Sequence, residues 1–207
     1  MDTIILLTIG GEYNGHMYLY RNAEKSADLF ANTIISKFQH HVNINHIKIR
    51  GSACNPDNIC RTILSLSEIE CKRIIIYFSG HGDHIGNREF WQTPRGNIDQ
   101  IKIAGLVNML KPLVIVISDS CSSEHMVNLK IVDHPYISLG ATLDNQDAMM
   151  TGDGGLFTII LSEIIDRLQT DFTIRDLFNE ITSSRVEIET FSINHSHDLI
   201  LDEKFIH

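Results

Sequence analysis

The chain has 207 residues, 43% of them hydrophobic and 21% charged, with 17 basic against 26 acidic side chains for a formal charge of −9. One globular domain of that size buries roughly 70% of the surface its unfolded chain exposes, and the apolar fraction excludes a disordered chain. The acidic balance argues against nucleic acid or anionic membrane as partners, since both call for basic patches, although the 11 histidines would offset much of the negative charge near pH 6.

An apolar run from Ile4 to Ile9 follows Asp2. It is too short for a signal-peptide core and lacks the basic flank, so it reads as a buried strand. No stretch approaches the ~20 apolar residues of a membrane span. Ala23, Ala27, Phe30, Ile34, Ile35 and Phe38 recur at helical spacing and predict a helix over 22–38. Ile44, Ile47 and Ile49 mark a second strand, and Asn55-Pro56 supplies a cap and a first-turn proline for a helix reaching about Leu66. The third strand, 73–78, is apolar on both faces, as a central parallel strand should be. A helix near 104–110, strands at 113–117 and 136–140, and helices over 156–168 and, after the cap Thr173, 174–187 follow. A last strand is expected near 199–201. Strand–helix alternation without repeat or linker predicts one α/β domain with a mostly parallel sheet and helices on both faces.

The connections after the third, fourth and fifth strands, 79–97, 119–135 and 142–155, read as long loops. Structureless stretches above ~12–15 residues tend to be functional. All three leave the C-terminal edge of the sheet, where open α/β proteins place their sites. Two of them begin suggestively: the third strand ends in Tyr77-Phe-Ser-Gly-His-Gly82 and the fourth in Ser118-Asp-Ser-Cys-Ser-Ser123.

The four cysteines, Cys54, Cys60, Cys71 and Cys121, show no C-x₂-C spacing and are too few for a secreted disulfide framework, so a reducing, cytoplasmic setting is expected. A free thiol with a pKa of ~8.5 is only a few per cent thiolate at pH 7, and a neighbouring imidazole is its expected activator. The same imidazole can protonate an amine leaving group. The amides of Gly82 and Cys121 are natural oxyanion donors, each worth about 3–4 kcal/mol in known holes.

Phe78-Ser-Gly-His-Gly82 followed by Asp119-Ser-Cys121 resembles the caspase-like cysteine peptidases, specifically the metacaspase branch. True caspases carry a different pentapeptide, with Gln two residues before the cysteine. The resemblance covers nearly the whole chain. Ile5-Leu-Leu-Thr-Ile-Gly10 looks like the first strand, and 19–30 like the entry to the first helix. Ser138 to Gln146 and Gly155-Leu-Phe-Thr158 look like the start of the small-subunit region, and 199–205 like its terminal strand. It implies a caspase-like α/β/α sandwich with a mostly parallel central sheet, about 1–125 large-subunit-like and 135–207 small-subunit-like. It also implies a cysteine endopeptidase, with Cys121 as nucleophile and His81 as general base and acid, acting on a peptide or protein substrate through a thioester acyl-enzyme. Ser79 and Asp119 match two positions of the pocket that grips a basic residue before the cut, where a desolvated Arg or Lys needs a facing carboxylate.

Three positions depart from the family pattern. The third pocket position, an Asp in the family, falls on Lys25, which would repel a basic substrate or pair with Asp119. Family-type calcium sites need several carboxylates among about 6–8 oxygens. Here the loop after the histidine mixes Asp83, Glu89 and Asp99 with Arg88 and Arg95, and the matching acid after the cysteine is Asn128, so no metal or other cofactor is expected. The stretch between Cys121 and Tyr136 holds only Lys130 as a basic residue, which favours a single-chain enzyme without internal cleavage, and a monomer is expected.

Other features carry blander readings. Thr151-Gly-Asp-Gly-Gly155 lacks phosphate-loop spacing and its lysine and reads as a flexible loop. Zinc at His81, Asp83 and His84 would want a fourth ligand, and Trp91 is either a cleft wall or a loop anchor. The rival from another class is a catalytically silent interaction module on the same fold; a receiver-like or nucleotide-binding domain lacks its acidic cluster or phosphate loop.

Overall fold

The structure, a computed structural model, describes residues 1–13, 21–124, 126, 132–143, 146–184 and 192–206. Six strands form the central sheet: β1 (Thr3–Gly10), β2 (Asn43–Arg50), β3 (Arg73–Ser79), β7 (Leu113–Asp119), β8 (Tyr136–Gly140) and β11 (Ser192–His195). Their spatial order is β11-β8-β7-β3-β1-β2, parallel throughout except for β11, which runs antiparallel to β8.

The period of two along each strand deals its residues to two cores. Ile4 and Leu6, Ile75 and Tyr77, Ile115 and Ile117, and Ile137 and Leu139 face α1 (Asn22–Phe38), α4 (Leu156–Arg167) and α5 (Ile174–Ser183). Ile5 and Leu7, Ile74, Ile76 and Phe78, and Val114 and Val116 face α2 (Pro56–Ser65) and α3 (Gln100–Val107). The molecule is therefore an α/β/α sandwich. Each fully buried Ile or Leu of β1, β3 and β7 contributes about 1.5–3 kcal/mol relative to exposure.

The expected caps are present. Asn55 Oδ1 accepts from Asn58 N at 3.0 Å ahead of Pro56, and Thr173 forms a reciprocal capping box with Asp176. α3 starts earlier than its apolar pattern suggests, because Asp99 caps it by accepting from Lys102 N at 2.7 Å. The second half of the helix expected over 174–187 falls partly outside the described residues; α5 itself ends at Ser183.

Two expectations are corrected. The stretch 79–97 is no loop but part of an antiparallel meander of β4 (His81–Ile85), β5 (Arg88–Thr93) and β6 (Gly96–Asp99). Its signal is the alternating burial of Glu89, Trp91 and Thr93 against their exposed or half-buried neighbours. The last strand is β11, because its residues 192–195 occupy the free edge of β8; 198–202 instead coils into a 3₁₀ turn that buries Ile200 and Leu201. The buried Arg73 guanidinium holds this tail by donating to Glu203 Oε2 at 2.8 Å and to the Lys204 carbonyl.

Candidate active site

β3 and β7 are parallel neighbours in register, Ser79 opposite Asp119, and they leave the sheet together. Gly80 N donates to the Asp119 carbonyl at 3.3 Å, so the pairing persists one step beyond the strands. His81 opens β4, and Cys121 stands two residues past the end of β7. Gly82 packs directly on the cysteine: a Cβ there would sit 1.8 Å from the Cys121 carbonyl oxygen and 2.9 Å from Ser120 Oγ. Only glycine fits, and the two expected oxyanion donors are thereby backbone neighbours.

The meander orients this edge. Gly82 pairs with Trp91 and His84 with Glu89, so both residues of β4 share the buried face of β5, while His81 belongs to the other face. Trp91 is fully buried, stacks on Phe78 at 4.6 Å between ring centroids, and donates from Nε1 to Ser118 Oγ at 2.6 Å. It is the anchor of the meander, not a cleft wall. On its own face, His81 meets Tyr13. The Tyr13 hydroxyl accepts from His81 N at 3.1 Å and donates to the Gln92 carbonyl at 2.6 Å, and the two rings meet edge to face at 4.8 Å. A cavity of about 630 Å³ opens beside them, with Glu12, Tyr13, Ser52, His81, Gln92 and Arg95 among its lining residues.

On the cysteine side the backbone turns sharply. Ser122 adopts φ 44°, a left-handed conformation that costs a non-glycine residue about 1–2 kcal/mol. Ser122 N donates to the Gln146 carbonyl at 3.0 Å, Ser122 Oγ lies 3.3 Å from His84 Nδ1, and Ser123 N donates to Thr142 Oγ1 at 3.2 Å. Cys121 Sγ, half-buried, accepts from Ala148 N at 3.3 Å. Burial pushes the thiol pKa above its ordinary value; the Ala148 amide opposes this and the Asp147 carboxylate reinforces it.

Below His81 and Cys121, on the face of the sheet shared with α1 and α4, lies a buried polar cluster. Asp119 Oδ2 accepts from Thr158 Oγ1 and from Tyr77 Oη at 3.5 Å, and the Tyr77 and Thr158 hydroxyls are 2.5 Å apart. Asp119 Oδ1, Ser79 Oγ and Ser120 Oγ are buried without a hydrogen-bond partner. Burial pushes the Asp119 pKa up to about 6, with the Thr158 and Tyr77 hydrogen bonds holding it lower than burial alone would. Gly155, on the short hairpin of β9 (Met150–Thr151) and β10 (Gly154–Gly155), covers the carboxylate; a Cβ there would stand 2.0 Å from Asp119 Oδ2. The glycine run read as a flexible loop is thus a close-approach device.

Lys25 is corrected: it does not meet Asp119. It is exposed and donates from Nζ to the Gly152 carbonyl at 2.7 Å, while the next residue of α1, Ser26, is buried and accepts from Gly155 N at 2.8 Å. Ser26, Tyr77 and Thr158 complete the cluster, and the sequence reading passed over all three. Their common signal is a hydroxyl inside an otherwise apolar stripe: Ala23, Ser26, Ala27 and Phe30 on α1, Tyr77 between Ile76 and Phe78 on β3, and Thr158 between Phe157 and Ile160 on α4. Among the described residues no group of three or more His, Cys, Asp or Glu could hold a metal ion, and no helix is long and apolar enough to cross a membrane. Asn128 and Lys130 lie outside the described residues.

No family model matches the chain, and no curated protein matches it. Among solved structures it is similar to the crystal structure of protein GSU0716 from Geobacter sulfurreducens, with a TM-score of 0.73 at 15% identity over 99% of this chain and 98% of that one. At that identity the likeness concerns the fold, and it extends the α/β/α architecture over the full length of both chains.

Proposed function

We propose that the protein is a caspase-like cysteine endopeptidase of the metacaspase branch that cuts after an arginine or lysine. The observation that carries this reading is the meeting of two strand ends: β3 delivers His81 and β7 delivers Cys121 to one edge, with the Gly82 backbone against the Cys121 carbonyl. His81 takes the proton of Cys121 Sγ, and the thiolate adds to the scissile carbonyl. The Gly82 and Cys121 amides hold the oxyanion while the C–N bond breaks. The imidazolium returns its proton to the departing amine, leaving a thioester that a His81-activated water hydrolyses to the acid and the free thiol.

The buried cluster supports the choice of residue before the cut. Each unpartnered polar atom in a dry site costs about 1–3 kcal/mol, and a guanidinium or ammonium would satisfy Asp119 Oδ1 and Ser79 Oγ together. Substrate entry then requires the chain around Ala148 and Gly155 to shift, freeing Cys121 Sγ and uncovering Asp119. That cover favours one second reading, a silent module whose thiol stays capped. The four free cysteines fit a reducing, cytoplasmic setting.

Fluorogenic peptides with Arg, Lys, Asp or Leu before the cut, with and without calcium, test the assignment beside Cys121→Ala. Cys121-dependent release from the Arg and Lys peptides alone is expected. Equal rates in the Cys121→Ala variant would defeat the assignment, and release from the Asp or Leu peptides would defeat the pocket.

A further inference from the structure

We infer that Tyr13 is a positioning residue for His81, an inference that rests on the peptidase reading above. His81 and Gln92 are direct cross-strand partners in the meander, and the single Tyr13 hydroxyl bridges their backbones, accepting from His81 N at 3.1 Å and donating to the Gln92 carbonyl at 2.6 Å. The ring of the same tyrosine stands edge to face with the imidazole, 4.8 Å between centroids and 84° between planes. One residue thus fixes both the main chain that carries the imidazole and the plane in which the imidazole sits.

The surrounding sequence makes room for that hydroxyl. Gly80 precedes His81, and a Cβ at Gly80 would stand 2.1 Å from Tyr13 Oη and 2.8 Å from the Phe78 ring. A tyrosine that merely filled space would need no such clearance at its polar tip. Tyr13 is also almost fully buried, and burial pushes its phenol pKa well up, so the hydroxyl stays protonated and keeps donating to Gln92 across the working pH range.

The chemistry gives the contact its purpose. A Cys–His pair transfers the same proton twice, first from sulfur to imidazole and then from imidazole to the departing amine, and each transfer depends on the ring meeting a different atom in line. A base of this kind is normally held by a third group. A carboxylate in that place would add charge as well as orientation. A neutral phenol orients the ring without adding charge, and it comes from the loop after β1, so the base is fixed from a strand other than its own.

The test compares wild type, Tyr13→Phe and Tyr13→Leu by peptide hydrolysis, thermal unfolding and the carbon–proton NMR signal of the His81 ring. Tyr13→Phe keeps the ring and loses only the hydroxyl. It is expected to lower kcat about tenfold with KM within about twofold, while the folded fraction stays that of wild type. Tyr13→Leu is expected to lower kcat further and to shift the His81 ring signal, as the neighbouring aromatic ring is lost. A wild-type kcat in Tyr13→Phe overturns the inference, as does a fall in activity that only tracks a smaller folded fraction. Should wild type hydrolyse no peptide, the peptidase reading fails and the NMR signal alone decides: a His81 signal displaced in both variants sustains the Tyr13 contact, and one unmoved in both overturns it.

Discussion

The two halves of the site are built on opposite terms. The histidine half is held by directed contacts: Trp91 and Phe78 stack beneath the meander, the Trp91 indole donates to Ser118, and Tyr13 bridges His81 to Gln92. The cysteine half carries strain at Ser122, an unpaired oxygen on Asp119, unpaired hydroxyls on Ser79 and Ser120, and a thiol whose pKa burial raises. Buried polar atoms without partners beside a strained turn are the arrangement that the proposed basic side chain would complete. In the proposed peptidase, His81 is the preorganised partner and the Cys121 side is the one that substrate would complete.

The sharpest way to break this contrast is Gly82→Ala, which drives a methyl into the Cys121 carbonyl and forces the halves apart. A displacement of that size should reduce kcat/KM on an arginine peptide by about a hundredfold or more, measured beside a circular dichroism check of folding. Trp91→Ala attacks the rigid half: loss of the stacked indole should destabilise the protein by about 3–5 kcal/mol in urea unfolding. A loss below about 1 kcal/mol would show that the meander does not depend on its anchor.

Asp119→Asn probes the other half through pH. Its carboxyl pKa is raised from 3.8 to about 6 in the folded state, so the folded protein binds more protons than the unfolded chain between those values. Stability should therefore fall as pH rises from about 4 to about 6 and level off above, a loss on the order of 3 kcal/mol. Asp119→Asn should remove that slope and raise stability at pH 7 while lowering turnover of arginine peptides. Ser122→Gly carries the smallest effect, relief of the φ 44° strain worth about 1 kcal/mol or less in unfolding free energy.

Much of this was legible in the sequence because it rests on periodicity and caps. The apolar runs at 4–9, 73–78 and 113–117 became the sheet centre, and Asn55-Pro56 and Thr173 start helices as read. The meander escaped because Phe90 breaks the apparent polarity of alternate positions and glycines at 80, 82, 86 and 96 look like loop signals. The terminal strand was placed on Leu199-Ile-Leu201 because an apolar triplet looks the same in a strand and in a 3₁₀ turn. Only the β8 edge, filled by 192–195, decides between them. In the site, His81 and Cys121 stood out through their glycine and serine neighbours. Lys25 was misplaced by one residue, a 100° rotation on a helix that exchanges an exposed ammonium for the buried Ser26 hydroxyl. Tyr13 left no pattern to read, since its role depends on a contact 68 residues away.

Cys121, at the edge His81 shares, is proposed to attack the carbonyl of a basic residue. Intact-mass and peptide mapping of the protein treated with a peptidyl-arginine acyloxymethyl ketone tests it directly. One adduct on Cys121 is expected, absent in Cys121→Ala and much slower with the aspartate analogue. Labelling spread over Cys54, Cys60 and Cys71, or an unmodified Cys121 in the folded protein, would contradict it.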